Sequence, residues 1–179
     1  MADACFCCSP PMRAIFNRRR FLQAASIAGL ASTVPLAARP AEGQYEAMLL
    51  SCIDPRMVAP VYRYMERRGL TGYYSQFVIA GAAVAVVAAK FEAWRQTFWD
   101  NLAVSSELHR INRVIVVDHR DCGAVKLAYG AESIATPEAE TRTHRMILAE
   151  FREALAKRHP HLKAETGLMA LDGSFQTLA

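Results

Sequence analysis

The feature that constrains this chain most is a polar segment that follows directly on an apolar one. Val114-Ile115-Val116-Val117 is a continuous β-branched run, typical of a strand that is buried on both faces. Asp-His-Arg-Asp-Cys-Gly-Ala, residues 118–124, comes immediately after it. Strands of this kind occur in parallel sheets covered by helices, and ligands bind such sheets at the carboxyl ends of the strands. His119 and Cys122 therefore stand where chemistry is expected, but one histidine and one cysteine are too few for a tetrahedral metal site.

Cys52 is the candidate for the missing ligand. It lies near the end of another apolar segment, residues 46–53, which we predict to be the first strand. Because the carboxyl ends of parallel strands share one edge of a sheet, Cys52 can meet His119 and Cys122 there. Two thiolates and one imidazole suit zinc, and three protein ligands leave a fourth position open, as in catalytic sites. A structural buried thiol, or a Cys52–Cys122 disulfide in an exported protein, is the alternative.

Two charged residues, Asp54 and Arg56, come directly after Cys52. Two thiolates neutralise the charge of a zinc ion, so its bound water needs help to ionise. The Asp54 carboxylate can accept a hydrogen bond from that water, and Arg56 can pair with Asp54 and keep it ionised. Alternatively, Asp54 binds as the fourth ligand and closes the site, or the two residues form only a structural salt bridge.

The order of predicted elements is β–α–β–α–β–α–α–β, which indicates an α/β domain with a parallel sheet. The chain has 179 residues, 53% of them hydrophobic, which fits one domain with a substantial core. We predict buried strands at 75–79 and 113–117, and a strand, an Asp-Gly turn and a return strand within 166–175. The predicted helices are about 58–68, 91–109 and 123–129, with another beginning at Thr136-Pro137.

Within the helix at 91–109, a stripe with helical spacing is predicted to face the sheet: Trp94, Phe98, Leu102, Ser105 and Leu108. In the later helix, the corresponding apolar stripe is Ile147, Leu148, Phe151 and Leu155.

Several polar residues are assigned no chemistry. Arg120 is predicted to be solvated or to lie at a subunit interface. The remaining histidines are predicted to lie at the surface or at helix ends; they are His109, His144, His159 and His161.

Residues 1–42 are predicted to be a targeting segment, and residues 43–179 the zinc domain. Arg18-Arg19-Arg20-Phe21-Leu22 resembles a twin-arginine export signal, and an apolar stretch rich in small residues follows it. Residues 24–38 are too short for a membrane span. We therefore expect a periplasmic or otherwise exported protein, or a cytoplasmic one if this interpretation is wrong.

The net charge of +4 depends on this basic N-terminal cluster, so nucleic-acid binding has little support. Cys5, Cys7 and Cys8 precede the signal, and Met12 begins a more ordinary one. Met12 is therefore the predicted start, and a second metal or acylation site at the three cysteines is the alternative.

The combination Cys-x-Asp-x-Arg at 52–56 and His-x-x-Cys-Gly at 119–123 strongly resembles the β-class carbonic anhydrases. The resemblance covers roughly residues 47–175. It implies a central, mostly parallel sheet flanked by helices, in a homodimer or a multiple of dimers. It further implies one zinc ion per chain on Cys52, His119 and Cys122, with Asp54 and Arg56 as a catalytic dyad. The implied reaction is reversible hydration of carbon dioxide to bicarbonate, with zinc-bound hydroxide as the nucleophile.

Three departures from the family pattern are visible. Ala80 and Gly81 replace the usual Arg-Asn, Asp118 replaces a glycine, and Pro55 replaces a serine. The first change makes the surroundings of the site more apolar, which would suit hydrolysis of carbonyl sulfide or carbon disulfide. A zinc-binding regulatory protein with little or no catalysis is the third hypothesis.

Overall fold

The structure is a computed structural model, and it describes residues 45–178. The predicted targeting segment, the N-terminal cysteines and the boundary at residue 42 lie outside the described residues, so those interpretations stay predictions. No helix within residues 45–178 is long and apolar enough to cross a membrane.

A five-stranded sheet forms the centre of the fold, with strand order β2-β1-β3-β4-β5. The first four strands are parallel to one another, and β5 is antiparallel to β4. The fold class predicted from the sequence is therefore confirmed. The strands are β1 (Ala47–Ser51), β2 (Tyr74–Val78), β3 (Arg113–His119), β4 (Lys163–Met169) and β5 (Phe175–Thr177).

Within residues 45–178, five α-helices connect or flank the strands, and three short 3-10 turns, at Pro55–Met57, Ala89–Phe91 and Ala131–Ile134, join them. The start of the longest helix was predictable from its cap: the Thr136 side chain accepts a hydrogen bond from the Ala139 N–H, and Pro137 is the first helical residue. The helices are α1 (Val58–Arg67), α2 (Ala83–Val87), α3 (Glu92–His109), α4 (Gly123–Tyr129) and α5 (Pro137–Arg158).

Both faces of the sheet are buried, which explains the continuous apolar character of β1 and β3. Leu50 and Val116 belong to the larger core, which includes residues of α2, α3, α4 and α5. Leu49 and Ile115 point into the smaller core, which is covered by α1. Burying a leucine side chain of this kind stabilises the folded state by about 1.5–3 kcal/mol, so these residues contribute strongly to the stability of the sheet centre.

Three sequence predictions about exposure or length were wrong in part. Strand β2 lies at the edge of the sheet and is not buried; Val78 is 45% exposed. On α3, Phe98, Leu102 and Ser105 are buried as predicted, but Trp94 and Leu108 are 41% and 61% exposed. Strand β3 continues to His119, because its pairing with β4 extends that far, so Asp118 lies inside the strand.

Candidate metal centre

Three residues from two adjacent strands meet at the carboxyl edge of the sheet. Cys52 follows β1 directly, His119 is the last residue of β3, and Cys122 is the N-cap of α4. One ligand atom from each of the three residues lies within 4.8 Å of the other two. The structure thus brings together the three residues that sequence reasoning selected. Cys52 and Cys122 form no disulfide in the described part of the chain.

The chemistry of the donor set fits a metal ion. The Nδ1 atom of His119 lies 2.8 Å from the Arg120 carbonyl oxygen, which can only accept, so Nδ1 carries the proton and Nε2 holds a lone pair. That buried Nε2 has no hydrogen-bond partner among residues 45–178. Ordinary zinc–sulfur and zinc–nitrogen lengths place tetrahedral ligand atoms about 3.5–3.8 Å apart, which the cluster reaches with small adjustments.

The two thiols differ strongly in acidity. The Cys122 thiol donates a hydrogen bond that lowers the pKa of Cys52, burial opposes this, and a hydrogen bond from the Gly81 N–H lowers the pKa further. The interaction with Cys52 in turn raises the pKa of Cys122, as does burial. A thiol must lose its proton to bind a metal ion, so binding a cation through both sulfurs would release protons from this pair.

The turn that follows β2 contacts Cys52 through Gly81. The Gly81 N–H donates to the Cys52 Sγ at 3.1 Å. Gly81 has φ +84°, and a Cβ there would lie 2.7 Å from the Cβ of Ala124. Only glycine fits this conformation and this close approach. The departure from the family pattern at Gly81 therefore has a structural reason.

Asp54 and Arg56 form a close pair beside the cluster. The guanidinium donates from Nη2 to Asp54 Oδ2 at 2.7 Å and from Nε to Oδ1 at 3.0 Å. These bonds lower the pKa of Asp54 to about 2, and the pKa of Arg56 is raised in turn. Asp54 Oδ2 lies 4.0 Å from the Nε2 atom of His119, so an ionised carboxylate faces the donor set.

The loop between His119 and Cys122 is anchored by Glu140, which sequence reasoning missed. Glu140 is buried on α5 and accepts from the Asp121 N–H at 2.5 Å and from Arg120 Nη1 at 3.0 Å. Arg120 is thus ion-paired with Glu140 while 28% of its side chain stays exposed, and its predicted place at a subunit interface stays a prediction. Asp121, which has φ +55°, binds Arg56 through Oδ2 at 2.7 Å, so it holds the guanidinium from a second side.

A second aspartate–base pair lies behind the metal ligands. Asp118 Oδ2 is 2.8 Å from the Nδ1 atom of His144 on α5, and both side chains are fully buried, at 0% and 1% exposure. The prediction that His144 lies at the surface or at a helix end was therefore wrong. Its spacing from Ile147, Leu148 and Phe151 places it on the buried stripe of α5, and that periodicity was the available signal.

Comparisons with known proteins identify the family of this chain. The model of a family described as "Putative carbonic anhydrase" matches residues 42–149. An uncharacterized protein of Rickettsia conorii is 36% identical over 126 residues, which span 70% of this chain and 68% of that protein. An uncharacterized protein of Rickettsia bellii is 34% identical over 131 residues, spanning 73% and 80%.

Solved structures show the same fold at low sequence identity. The β-carbonic anhydrase CafA of Aspergillus fumigatus superposes with a TM-score of 0.52 at 12% identity, covering 90% of this chain and 88% of that one. A tetrameric β-carbonic anhydrase of Sordaria macrospora gives 0.50 at 14% identity, covering 90% and 96%. The chain belongs to the carbonic anhydrase family defined by that model, as a divergent member with the β-class fold.

Proposed function

We propose that this protein is a zinc-dependent enzyme that hydrates carbon dioxide reversibly to bicarbonate. The observation that carries the proposal is the open, three-donor cluster of Cys52, His119 and Cys122 with an ionised carboxylate, Asp54, beside it. Three protein ligands with the fourth position left for water or substrate are the catalytic arrangement, whereas structural sites are closed by a fourth protein ligand.

Zinc, when bound, supplies Lewis acidity that makes water acidic near neutral pH. The chain's own residues then account for the rest. Cys52, His119 and Cys122 hold the ion, one ion per chain. The Arg120 carbonyl fixes the ring of His119 through Nδ1, so the imidazole presents Nε2 to the cluster.

Asp54 is proposed to orient the attacking water. Its carboxylate stays ionised because Arg56 holds its pKa at about 2, so above that pH it can only accept hydrogen bonds. An acceptor fixes the direction of the water's proton and leaves an oxygen lone pair for attack on the substrate carbon. Arg56, held on its other side by Asp121, keeps the carboxylate in place.

Substrate is proposed to bind beside β2. A cavity of about 310 Å³ lies there, lined by Cys52, Ile53, Val58, Val61 and Val78 among others. None of the described residues that line it is charged. A small apolar molecule such as carbon dioxide is compatible with these walls.

Stopped-flow carbon dioxide hydration with zinc-loaded protein tests the proposal. We expect turnover to rise from about pH 6 to about pH 9, because the attacking water must lose a proton while Asp54 is already ionised. No turnover over this range, with zinc measured at one ion per chain, would leave only a zinc-binding protein without this activity. A flat profile would contradict the role assigned to the water.

Carbonyl sulfide or carbon disulfide hydrolysis is the second candidate. It is favoured by the apolar cavity and by Ala80, a half-buried alanine at a position where the family pattern has arginine. Sulfide release from carbonyl sulfide, measured on the same zinc-loaded preparation, separates it from carbon dioxide hydration.

We also propose that the chain acts as a homodimer or a multiple of dimers. Large apolar side chains are exposed around the cavity and the edge strand β2: Ile53, Val58, Tyr62 and Val78. A contiguous exposed apolar surface of this kind is typical of protein interfaces. Light scattering on the purified protein measures the assembly directly, and a monomer at micromolar concentration would contradict the proposal.

A further inference from the structure

The buried pair Asp118–His144 touches the turn that contacts Cys52. Asp118 Oδ1 accepts from the Ala83 N–H at 3.1 Å, and Oδ2 binds His144 Nδ1 at 2.8 Å. Two residues before Ala83, the Gly81 N–H donates to the Cys52 Sγ at 3.1 Å. One carboxyl group therefore joins α5 to the turn before α2, and that turn reaches the metal ligand.

The backbone of this turn needs such an anchor. Ala82 has φ +49°, and Gly81 has φ +84°. An alanine with positive φ is uncommon and strained, and it persists only where surrounding contacts hold it. The family pattern has Arg-Asn at residues 80 and 81, and this chain has Ala-Gly, so these two side chains offer no polar group to fix the turn. In this chain the turn is anchored instead through the Ala83 N–H, which donates to Asp118.

We propose that Asp118, held by His144, is a positioning residue that fixes the 81–83 turn so that the Gly81 N–H is aimed at the Cys52 sulfur. A hydrogen bond to a metal-bound thiolate withdraws electron density from sulfur and orients the ligand, so outer-shell groups of this kind tune affinity and ligand strength. The inference rests on the metal-binding part of the proposed function and not on turnover.

The exchange rates of the Gly81 and Ala83 amide protons, measured by NMR in the metal-free protein, test the hydrogen bonds directly. The variant Asp118→Val/His144→Leu removes the carboxyl group and its partner together. Replacing both members of a buried polar pair by apolar groups is often compatible with folding. We expect both amide protons to exchange at least about tenfold faster in this variant.

Cobalt(II) is the second probe, because its absorption reports the thiolate ligands. In Asp118→Val/His144→Leu we expect a shifted sulfur-to-cobalt charge-transfer band and a loss of about tenfold or more in cobalt affinity. Asp118→Asn keeps an oxygen acceptor for the Ala83 N–H, so it should retain the wild-type spectrum and both exchange rates within about twofold. The matched control is Ser105→Ala, which removes the part-buried hydrogen bond between Ser105 on α3 and Ser75 on β2. It should leave the cobalt spectrum unchanged.

Wild-type exchange of Gly81 and a wild-type cobalt spectrum in the folded double variant would overturn the proposal. If the double variant does not fold, the wild-type protein decides: exchange of the Ala83 amide proton as fast as that of an exposed, unbonded amide would show that Asp118 does not hold the turn. Neither measurement needs carbon dioxide turnover, so a failure of the proposed activity is seen separately in the stopped-flow assay.

Discussion

Two aspartates, each bound to a basic side chain, lie near the cluster of Cys52, His119 and Cys122. Asp54 and Arg56 face solvent, with the arginine side chain 44% exposed, and the carboxylate approaches the His119 ring. Asp118 and His144 are sealed inside the protein, and the carboxyl group binds a backbone N–H. The same pairing of chemical groups thus serves opposite purposes: the exposed pair can meet a substrate, whereas the buried pair can act only on the protein's own backbone.

The largest expected effect comes from substituting a residue of the Cys52, His119 and Cys122 cluster, which lies beside both pairs. In Cys52→Ser, zinc affinity should fall by more than about a hundredfold, because a direct ligand matters more than an outer-shell partner. Turnover should disappear with the metal. Elemental analysis and circular dichroism measure zinc content and fold. Since β1 is held by backbone pairing to β2 and β3, the variant should stay folded. A variant that retains zinc and full turnover would show that Cys52 is not a ligand.

The second-largest effect is on turnover, which should depend on Asp54 in the exposed pair. Asp54→Asn should lower turnover by about 10²- to 10⁴-fold at unchanged zinc content, because the amide no longer offers the ionised acceptor that orients the water. Stopped-flow assays on zinc-matched samples measure it. Asp100→Asn, at an exposed carboxylate on α3 that binds Gln96, is the matched control and should be near wild type. Equal activity of both variants would remove Asp54 from the catalytic role.

The free energy of unfolding should depend more on the buried pair than on the exposed pair. His144→Ala leaves Asp118 buried without its partner, so the free energy of unfolding should fall by about 3–5 kcal/mol. Arg56→Ala, at the solvent-facing pair, should lower the free energy of unfolding only by the small contribution of an exposed ion pair. Urea denaturation of both metal-free variants gives the comparison. Similar losses from the two substitutions would mean that burial does not distinguish the pairs.

The smallest effect is the acid dependence of the exposed pair. The folded-state pKa of Asp54, about 2, lies below its ordinary value of 3.8 because Arg56 stabilises the charged form. Its contribution to stability is therefore fully present above about pH 4 and is lost as the pH falls towards 2. The difference in unfolding free energy between metal-free wild type and Asp54→Asn should narrow over that range. A difference that widens in acid would contradict the pKa assigned to Asp54.

The sequence was sufficient to predict the fold and the donor set because their signals are local. A continuous apolar run predicts a buried parallel strand, and Thr136-Pro137 predicts a helix start, without knowledge of partners. The meeting of Cys52 with His119 and Cys122 followed from one rule about strand ends. Their roles as ligands, and the roles of Asp54 and Arg56, stay predictions until metal and turnover are measured.

What the sequence did not predict depends on contacts between distant elements. His144 was predicted at the surface because a histidine within a charged helix resembles a solvated one, and its partner Asp118 lies on a distant element, the strand β3. Glu140 was missed for the same reason: its carboxylate is buried only because the loop after β3 supplies an N–H and Arg120 to bind it. The edge position of β2 depends on strand order, which local periodicity does not encode.

The parallel arrangement of β1 and β3 has a consequence for how the protein assembles. Parallel neighbours require a crossover connection, and here the chain between them contains β2 and three helices. Contacts that are this distant in sequence form late and slowly, because the loop must close before pairing stabilises it. The three metal ligands can meet only after that step. Metal uptake during refolding should therefore be no faster than the pairing of β1 with β3, so the rate of metal binding reports on that step of folding.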